Sequence, residues 1–445
     1  MKVFPGNDIL QSIRKKQLMR GRLTFMENKK QAEVNALTPI KENERQGWLS
    51  LAFVQAGICV CASSFWEGAI LAESMPLGEA IISGTLGYLI VVILMSILGM
   101  QGSDLGMASC TLAESTFGKT GARLFVSLIF AVNLIGWFGI NNGICGDAFV
   151  NFMDSQFGIQ VPMIVSNIGW GLIMLITAVY GMKAMEKLNF VSIPFLMIVM
   201  AAGTVNALKT YGTEGINTEV ARTMSFMGGV SLSFDFYAVG VITAADVARF
   251  QKNRKETWKS TVWGVFPMGV ITLALGAILT KIAGEYDISL VLIEVGLPII
   301  GVISIILSTW TTNSSNAYSG GLDIVSAFNI PDNRRREVTI VAGIIGTLLG
   351  ACGILNHIEG FLGMLAFLVC PVGGIMLADY WVIGKGKKEN WHSREGIVWP
   401  SVIVWAISSG LAYLCGVGYY GIGFSFVLYL LAEKFIPSAK SLARE

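Results

Sequence analysis

Three hydroxyl side chains, Ser308, Thr311 and Thr312, stand at i, i+3 and i+4 and share one face of any helix that carries them. Three such oxygens together can ligate a hard cation; equally, serine and threonine return hydroxyls to their own helix backbone. Asn313, Ser315 and Asn316 extend this polar stripe around Trp310. A second constellation, Asn133, Trp137 and Asn141, is spaced by four and stacks along one face. An indole offers a platform for a flat ring, and amides beside it can pair with ring donors and acceptors. Two acids lie inside apolar stretches, Glu67 within residues 46–72 and Asp235 within 223–245. An ionised acid in a low-dielectric site is costly unless it is paired. Each is therefore expected to be protonated, paired, or matched to a substrate amino group, with a watery vestibule as the alternative for Glu67.

The chain that carries these residues is a membrane protein by composition. Of 445 residues, 53% are hydrophobic and only 14% charged, with a mean hydropathy of +0.62. A soluble domain carries roughly 25% charged residues. Charge-free runs of the roughly 20 residues needed to span a bilayer occupy 46–66, 80–103, 124–146, 155–182, 188–208, 260–280, 295–322, 338–358 and 360–378. The run 396–432 contains a turn at Gly416–Gly421 and reads as a helical hairpin. With the segment around Asp235 the expectation is an all-α polytopic protein of twelve transmembrane helices.

Segments one and six carry matching interruptions. Gly57 to Gly68 and Gly228 to Gly240 are both rich in glycine and serine, and each holds one of the acids. Small residues also serve close helix packing, but a pair of breaks in two halves points to a transporter site between inverted repeats. Unwound backbone inside a membrane must line a cavity, where freed carbonyls suit a cation such as sodium.

Basic residues set the expected orientation. Twenty-nine of the 32 lysines and arginines fall on the side that holds the first loop-forming tail, and only Lys209, Arg222 and Lys281 on the other. The positive-inside rule then places both termini in the cytoplasm of a cell-membrane protein. The first 45 residues are too polar for a signal peptide, so the first span is expected to be retained. Within that tail, Ile9 to Val34 can form a basic amphipathic helix against the bilayer or remain solvated. Arg334 to Arg336 read as topology signals, and Asp246 with Arg249 as a helix-capping pair.

The seven cysteines lack metal-ligand spacing, and His357 and His392 have no metal-binding neighbours. No nucleophile elbow or phosphate loop appears, which argues against an enzyme. No nucleic-acid partner or obligate protein partner is implied, nor any cofactor beyond a coupling ion. A substrate-gated channel is the alternative from another class.

From Gly136-Trp137-Phe138-Gly139, Ala245-Asp246-Val247-Ala248-Arg249-Phe250, Trp310-Thr311-Thr312-Asn313 and Pro371 to Tyr380, the sequence resembles nucleobase:cation symport family 1, in its cytosine permease branch. The resemblance runs from about Leu51 to Ile383. It implies two inverted repeats of five helices, 47–210 and 223–383, with helices one and six unwound. Helices eleven and twelve (397–436) would follow, between cytoplasmic tails 1–46 and 437–445. It implies a base sandwiched between Trp137 and Tyr237, with Asn313 and Asn141 on polar positions. It further implies sodium held by the Cys61 and Ser64 carbonyls with Ser308, Thr311 and Thr312. Leu134, Asp235, Phe236 and Glu67 depart from the cytosine pattern, which bears on the substrate.

The reading is thus a secondary active importer of a nucleobase, a cytosine-like pyrimidine or purine, coupled to sodium. Trp137, Tyr237 and Phe236 would flank the ring, and Asn141, Asn313, Asn316 and Asp235 would read its edge. The alternative is a proton-coupled carrier of a related heterocycle such as hydroxymethylpyrimidine or a hydantoin, with Asp235 or Glu67 taking the proton.

Overall fold

The computed structural model describes residues 37–286, 288–294, 297–354 and 358–435. The expected amphipathic helix at 9–34, His357 and the tail 437–445 lie outside them. What is described is helical. The main elements are α1 (Trp48–Cys59), α2 (Ala62–Ser74), α3 (Leu77–Leu105), α4 (Lys119–Phe157), α5 (Met163–Tyr180) and α6 (Met182–Tyr211). After a loop come α7 (Phe226–Ile242), α8 (Arg254–Ala283), α9 (Pro298–Ala327), α10 (Arg335–Ala351) and α11 (Ile358–Leu377). The hairpin α12 (Trp399–Cys415) and α13 (Tyr420–Phe435) closes the series, turning at Gly416 in the left-handed region with φ 67°.

Helices, with the bent pair α1 and α2, overlie the apolar runs read as spans. Among the described residues, α3, α4, α5, α6, α8 and the stretch Leu365–Ile383 are long and apolar enough to cross a membrane. The bent pair qualifies as a seventh. α9 is 30 residues long and carries the polar stripe, whereas α7 and α12 are shorter apolar helices. Helices satisfy backbone polar groups within themselves, as a span through hydrocarbon requires. Their outward faces are correspondingly apolar, with Val191 72%, Ile198 69% and Trp263 64% exposed.

Side-chain caps start two of the elements. Ser225 accepts from the Gly228 amide at α7, and Asn253 accepts from the Glu256 amide at α8. α4 and α9 pack together at the centre; α8 lies along α1, α2 and α3; α7 fits between α3 and α11. α1 also packs on α6, as α7 does on α11. α11, α12 and α13 pack on one another to one side.

One expectation fails here. Segment six is not unwound across its glycines and serines, because α7 runs as a continuous helix from Phe226 to Ile242. Its chain turns only at Thr243 and Ala244, before a single helical turn, Ala245–Ala248. The small residues have another use. A Cβ on Gly229 would stand 2.6 Å from the Ser83 hydroxyl, and one on Gly87 would stand 2.5 Å from Ser233 Cβ and 2.8 Å from the Val230 carbonyl. They let α7 approach α3 closely, which is the packing role of small residues in membrane helices.

Candidate functional site

Segment one does break. α1 ends at Cys59, Val60 (φ −85°, ψ 77°) makes a tight turn in which the Cys61 amide donates to Cys59 O at 3.1 Å, Cys61 (φ −141°, ψ 162°) is extended, and α2 departs at 54°. The Cys61 carbonyl accepts from the Ser64 amide at 3.0 Å and the Phe65 amide at 3.4 Å, so it is spent on starting α2. The carbonyls that meet α9 are those at the end of α1. The Thr312 hydroxyl lies 3.0 Å from Gly57 O, 3.4 Å from Ile58 O and 3.1 Å from Ser308 O.

Gly57 is required at this junction. A Cβ there would overlap Asn189 Oδ1 of α6, at 1.6 Å, and stand 3.2 Å from Thr311 Cβ. Asn189 is fully buried; its amide donates to Met185 O at 2.7 Å and its Oδ1 has no partner. Carbonyl, hydroxyl and amide oxygens therefore converge from three helices. Such a set of hard neutral oxygens suits a sodium-sized cation better than a transition metal. Among the described residues no group of three or more histidines, cysteines or acids is placed to hold a metal.

Beside the break lies a cavity walled by rings. Trp137 from α4, Phe236 and Tyr237 from α7 and Tyr88 from α3 line it. Trp137 and Phe236 have centroids 6.2 Å apart at 50°, and Tyr88 and Tyr237 are 6.2 Å apart at 55°. The Cys59 thiol donates to the Tyr237 hydroxyl at 3.4 Å. The polar edge comes from Asn141, Thr312, Ser315, Asn316 and Ser319, with Cys61, Ser63 and Ser64 at the break. Among the described residues, no aspartate, glutamate, lysine, arginine or histidine lines the cavity. Asn141 donates to Trp137 O at 3.0 Å, which leaves its Oδ1 buried without a partner, and Ser315 Oγ is likewise unpartnered. Buried polar atoms in native proteins are nearly always satisfied, so these two await a ligand or water. Tyr318 also lines the cavity, and its hydroxyl accepts from buried Arg249 at 2.6 Å. Arg335, expected as a mere topology signal, is fully buried with its guanidinium 5.2 Å from the Tyr318 ring.

The structure thus brings Trp137, Asn141, Phe236, Tyr237, Asn316, Cys61, Ser64 and Thr312 to one cavity. Others of the expected set go elsewhere. The Asn313 amide donates to Phe138 O at 3.1 Å and its Oδ1 accepts from Asn316 at 3.4 Å, which turns it into the α4 and α5 interface. Ser308 and Thr311 return their hydroxyls to Ile305 O and Ser308 O. Asp235 lies on the other face of α7, where Oδ2 accepts from Ser231 at 3.1 Å and Oδ1 sits against Gly418 of the α12–α13 turn. Glu67 is fully buried behind the cavity wall rather than in a vestibule, accepting from the Tyr88 hydroxyl at 3.2 Å. Ser315, part of the polar stripe, reaches the wall as well, whereas sequence reasoning missed Tyr88 and Ser319 there, and Gly57, Ile58 and Asn189 at the junction. For Gly57 a signal existed, since it lies within the small-residue cluster; Asn189 and Tyr88 sit in ordinary apolar runs.

A family model for permeases for cytosine/purines, uracil, thiamine and allantoin matches residues 39–434. The cytosine permease of Escherichia coli (strain K12) is 27% identical over 379 residues, covering 84% of this chain and 87% of that one. The hydantoin permease of Microbacterium maritypicum is 21% identical over 418 residues, with 84% and 83% covered. Among solved structures, Mhp1, a nucleobase-cation-symport-1 family transporter closed around bromovinylhydantoin, superposes with a TM-score of 0.80. The identity there is 19%, over 92% of this chain and 97% of that chain. A sodium-coupled sialic acid symporter in its outward-open state gives 0.64 at 17% identity, covering 88% and 91%. These two likenesses bear on the fold alone.

Proposed function

This chain belongs to the family of permeases for cytosine/purines, uracil, thiamine and allantoin, cation-coupled membrane symporters of nucleobase-like molecules, and from that premise we propose that it imports a flat, uncharged, amino-bearing heterocycle together with sodium. The observation that carries this reading is the aromatic-walled cavity with two unpartnered polar atoms, Asn141 Oδ1 and Ser315 Oγ, on its edge. A heterocycle seated against Trp137 and Tyr237 fills the ring slot. Its amino or ring N–H donates to Asn141 Oδ1, while Asn316, Ser315 and Phe236 bound its outline. A cavity lined by no ionised side chain favours a neutral ligand, because an ionic one would be left without a counter-charge.

Sodium coupling rests on the junction next door. Gly57 and Ile58 carbonyls, the Thr312 hydroxyl and Asn189 Oδ1 supply hard oxygens at the end of α1. Thr311 can add a lone pair while still donating to its own helix. A cation there holds α1 to α9 and fixes the bend beside the substrate, so cation and heterocycle favour each other by linkage. Asn313, Ser308 and Asp235 act as framework in this reading.

We further read the chain as twelve crossings in two inverted repeats of five followed by a hairpin, with both termini cytoplasmic. The packing of α1 on α6 and of α7 on α11 supports it, since each pairs the first segment of a half with its fifth. Uptake of labelled cytosine, competed by adenine, uracil, hydantoins, allantoin and hydroxymethylpyrimidine, with sodium replaced by choline, tests the function. Competition by amino-bearing bases and loss of accumulation in choline are expected. Accumulation that persists in choline overturns the sodium assignment, and flux that never rises above the external concentration overturns active transport.

A further inference from the structure

Glu67 is the one fully buried acid of α2, and the transport reading gives it no task. Its Oε2 accepts from Tyr88, its Oε1 has no partner, and the Ser233 hydroxyl of α7 faces the same carboxyl. The titratable groups around it are Tyr88 from α3, Tyr237 from α7 and the thiols of Cys59 and Cys61 at the break. α8, along the other side of α2, presents Leu273 O and Ala277 N to Gly68. α4 and α9 meet α2 at the cavity, where Leu134, Trp137, Thr312 and Ser315 do not titrate. None of these groups is basic, and no ion pair involves Glu67 among the described residues.

We propose that Glu67 is a proton-binding site wired to the substrate cavity by Tyr88. The inference rests on the reading of that cavity as the substrate site. A carboxylate without water or a cation is poorly tolerated at this depth, whereas the neutral acid completes the local hydrogen bonds. Its O–H can turn to Ser233 Oγ, which is itself buried without a partner, while its carbonyl oxygen accepts from Tyr88. The Tyr88 ring is itself part of the cavity wall, 6.2 Å from Tyr237. A heterocycle against these two rings fixes the hydroxyl that Glu67 depends on. When α2 parts from α3 and α7 and water enters, the carboxyl O–H bond breaks, its electron pair stays on Glu67, and the proton leaves as hydronium. Occupied cavity and protonated Glu67 thus favour each other, and transport carries a proton dependence beside its sodium dependence.

Infrared difference spectra of the purified full chain at neutral pH, wild type against Glu67→Gln, test the site without any substrate. The expected result is a carboxylic-acid carbonyl band in the wild type that is missing in the variant. Tyr88→Phe, which keeps the acid but removes its donor, should move that band rather than abolish it. Loss of a carboxylate band instead, or an unchanged carbonyl region in both variants, overturns the proposal. In vesicles loaded with a pH dye, uptake of labelled cytosine by the wild type should acidify the lumen, and sodium-driven uptake by Glu67→Gln should not. Uptake without acidification in the wild type overturns the proton link. Absence of any cytosine uptake strikes instead at the substrate reading, leaving the infrared result to decide the site.

Discussion

Segments one and six look alike in sequence and differ in structure. Each is rich in glycine and serine, and each holds one acid, yet α1 and α2 part at 54° while α7 runs unbroken through Gly228 to Gly240. The difference lies in what waits on the other side. At the end of α1 the freed carbonyls of Gly57 and Ile58 meet the Thr312 hydroxyl, which can satisfy them. Along α7 the small residues meet the close backbone of α3, where an intact helix keeps its hydrogen bonds and gains contact. Small residues permit a break; the partner decides whether one forms.

The sharpest way to break this contrast is glycine replacement in both segments. Gly57→Ala drives a methyl into Asn189 Oδ1 and should abolish uptake, whereas Gly228→Ala meets only the Met224 side chain and the Ser225 hydroxyl. It should stay within about twofold of wild type, since an added methyl against a flexible side chain costs little. Initial-rate uptake, with gel filtration to verify folding, compares them. If both variants transport equally, the junction is not the working part.

Next in size is the cavity face of α7. Tyr237→Ala removes a stacking ring worth roughly 1–3 kcal/mol to a flat base, so KM should rise about tenfold to a hundredfold with little change in maximal rate. Trp137→Ala should act alike, and a KM unchanged in both would move the substrate elsewhere. The cation side comes third. Thr312→Ala should raise the sodium concentration for half-maximal uptake about tenfold, for the loss of a ligand worth about 1–2 kcal/mol. Ser308→Ala, whose hydroxyl returns to Ile305 O, should change it less than about threefold. Equal effects would argue for the full three-hydroxyl set. The smallest effect is expected at Asp235→Asn, which keeps the contact with Ser231 and leaves the cavity untouched. Uptake affinity should stay within about twofold, with at most about 1 kcal/mol lost in heat stability. A large affinity loss would return Asp235 to the substrate.

Much of this was legible from spacing. Charge-free runs located the helices, and the four-residue interval from Trp137 to Asn141 put a ring and an amide in one wall. Periodicity says which residues share a face but not which neighbour that face meets. Asn313 and Asn316 lie three apart on α9, yet one enters the α4 and α5 interface and the other the cavity. Asp235 and Tyr237 lie two apart on α7 and so on different faces, and only the fold says which face looks inward. The Cys61 carbonyl was expected at the cation from the family resemblance, but α2 consumes it and the carbonyls that meet α9 lie earlier, at Gly57 and Ile58. Asn189 was invisible because a single amide in an apolar run carries no pattern.

α2 and α8 meet in a way that bears on the bend at Val60 and Cys61. The Leu273 carbonyl lies 2.0 Å from where a Cβ would stand on Gly68, and the Phe65 carbonyl the same distance from that position on Gly276. α8 comes comparably close to α1, where a Cβ on Gly264 would stand 2.6 Å from Ala52 O. One continuous rod therefore touches both arms of the break backbone to backbone, with no rotamers between them to repack. It acts as a splint, so the angle between α1 and α2 is set by a neighbour as well as by the two residues that join them.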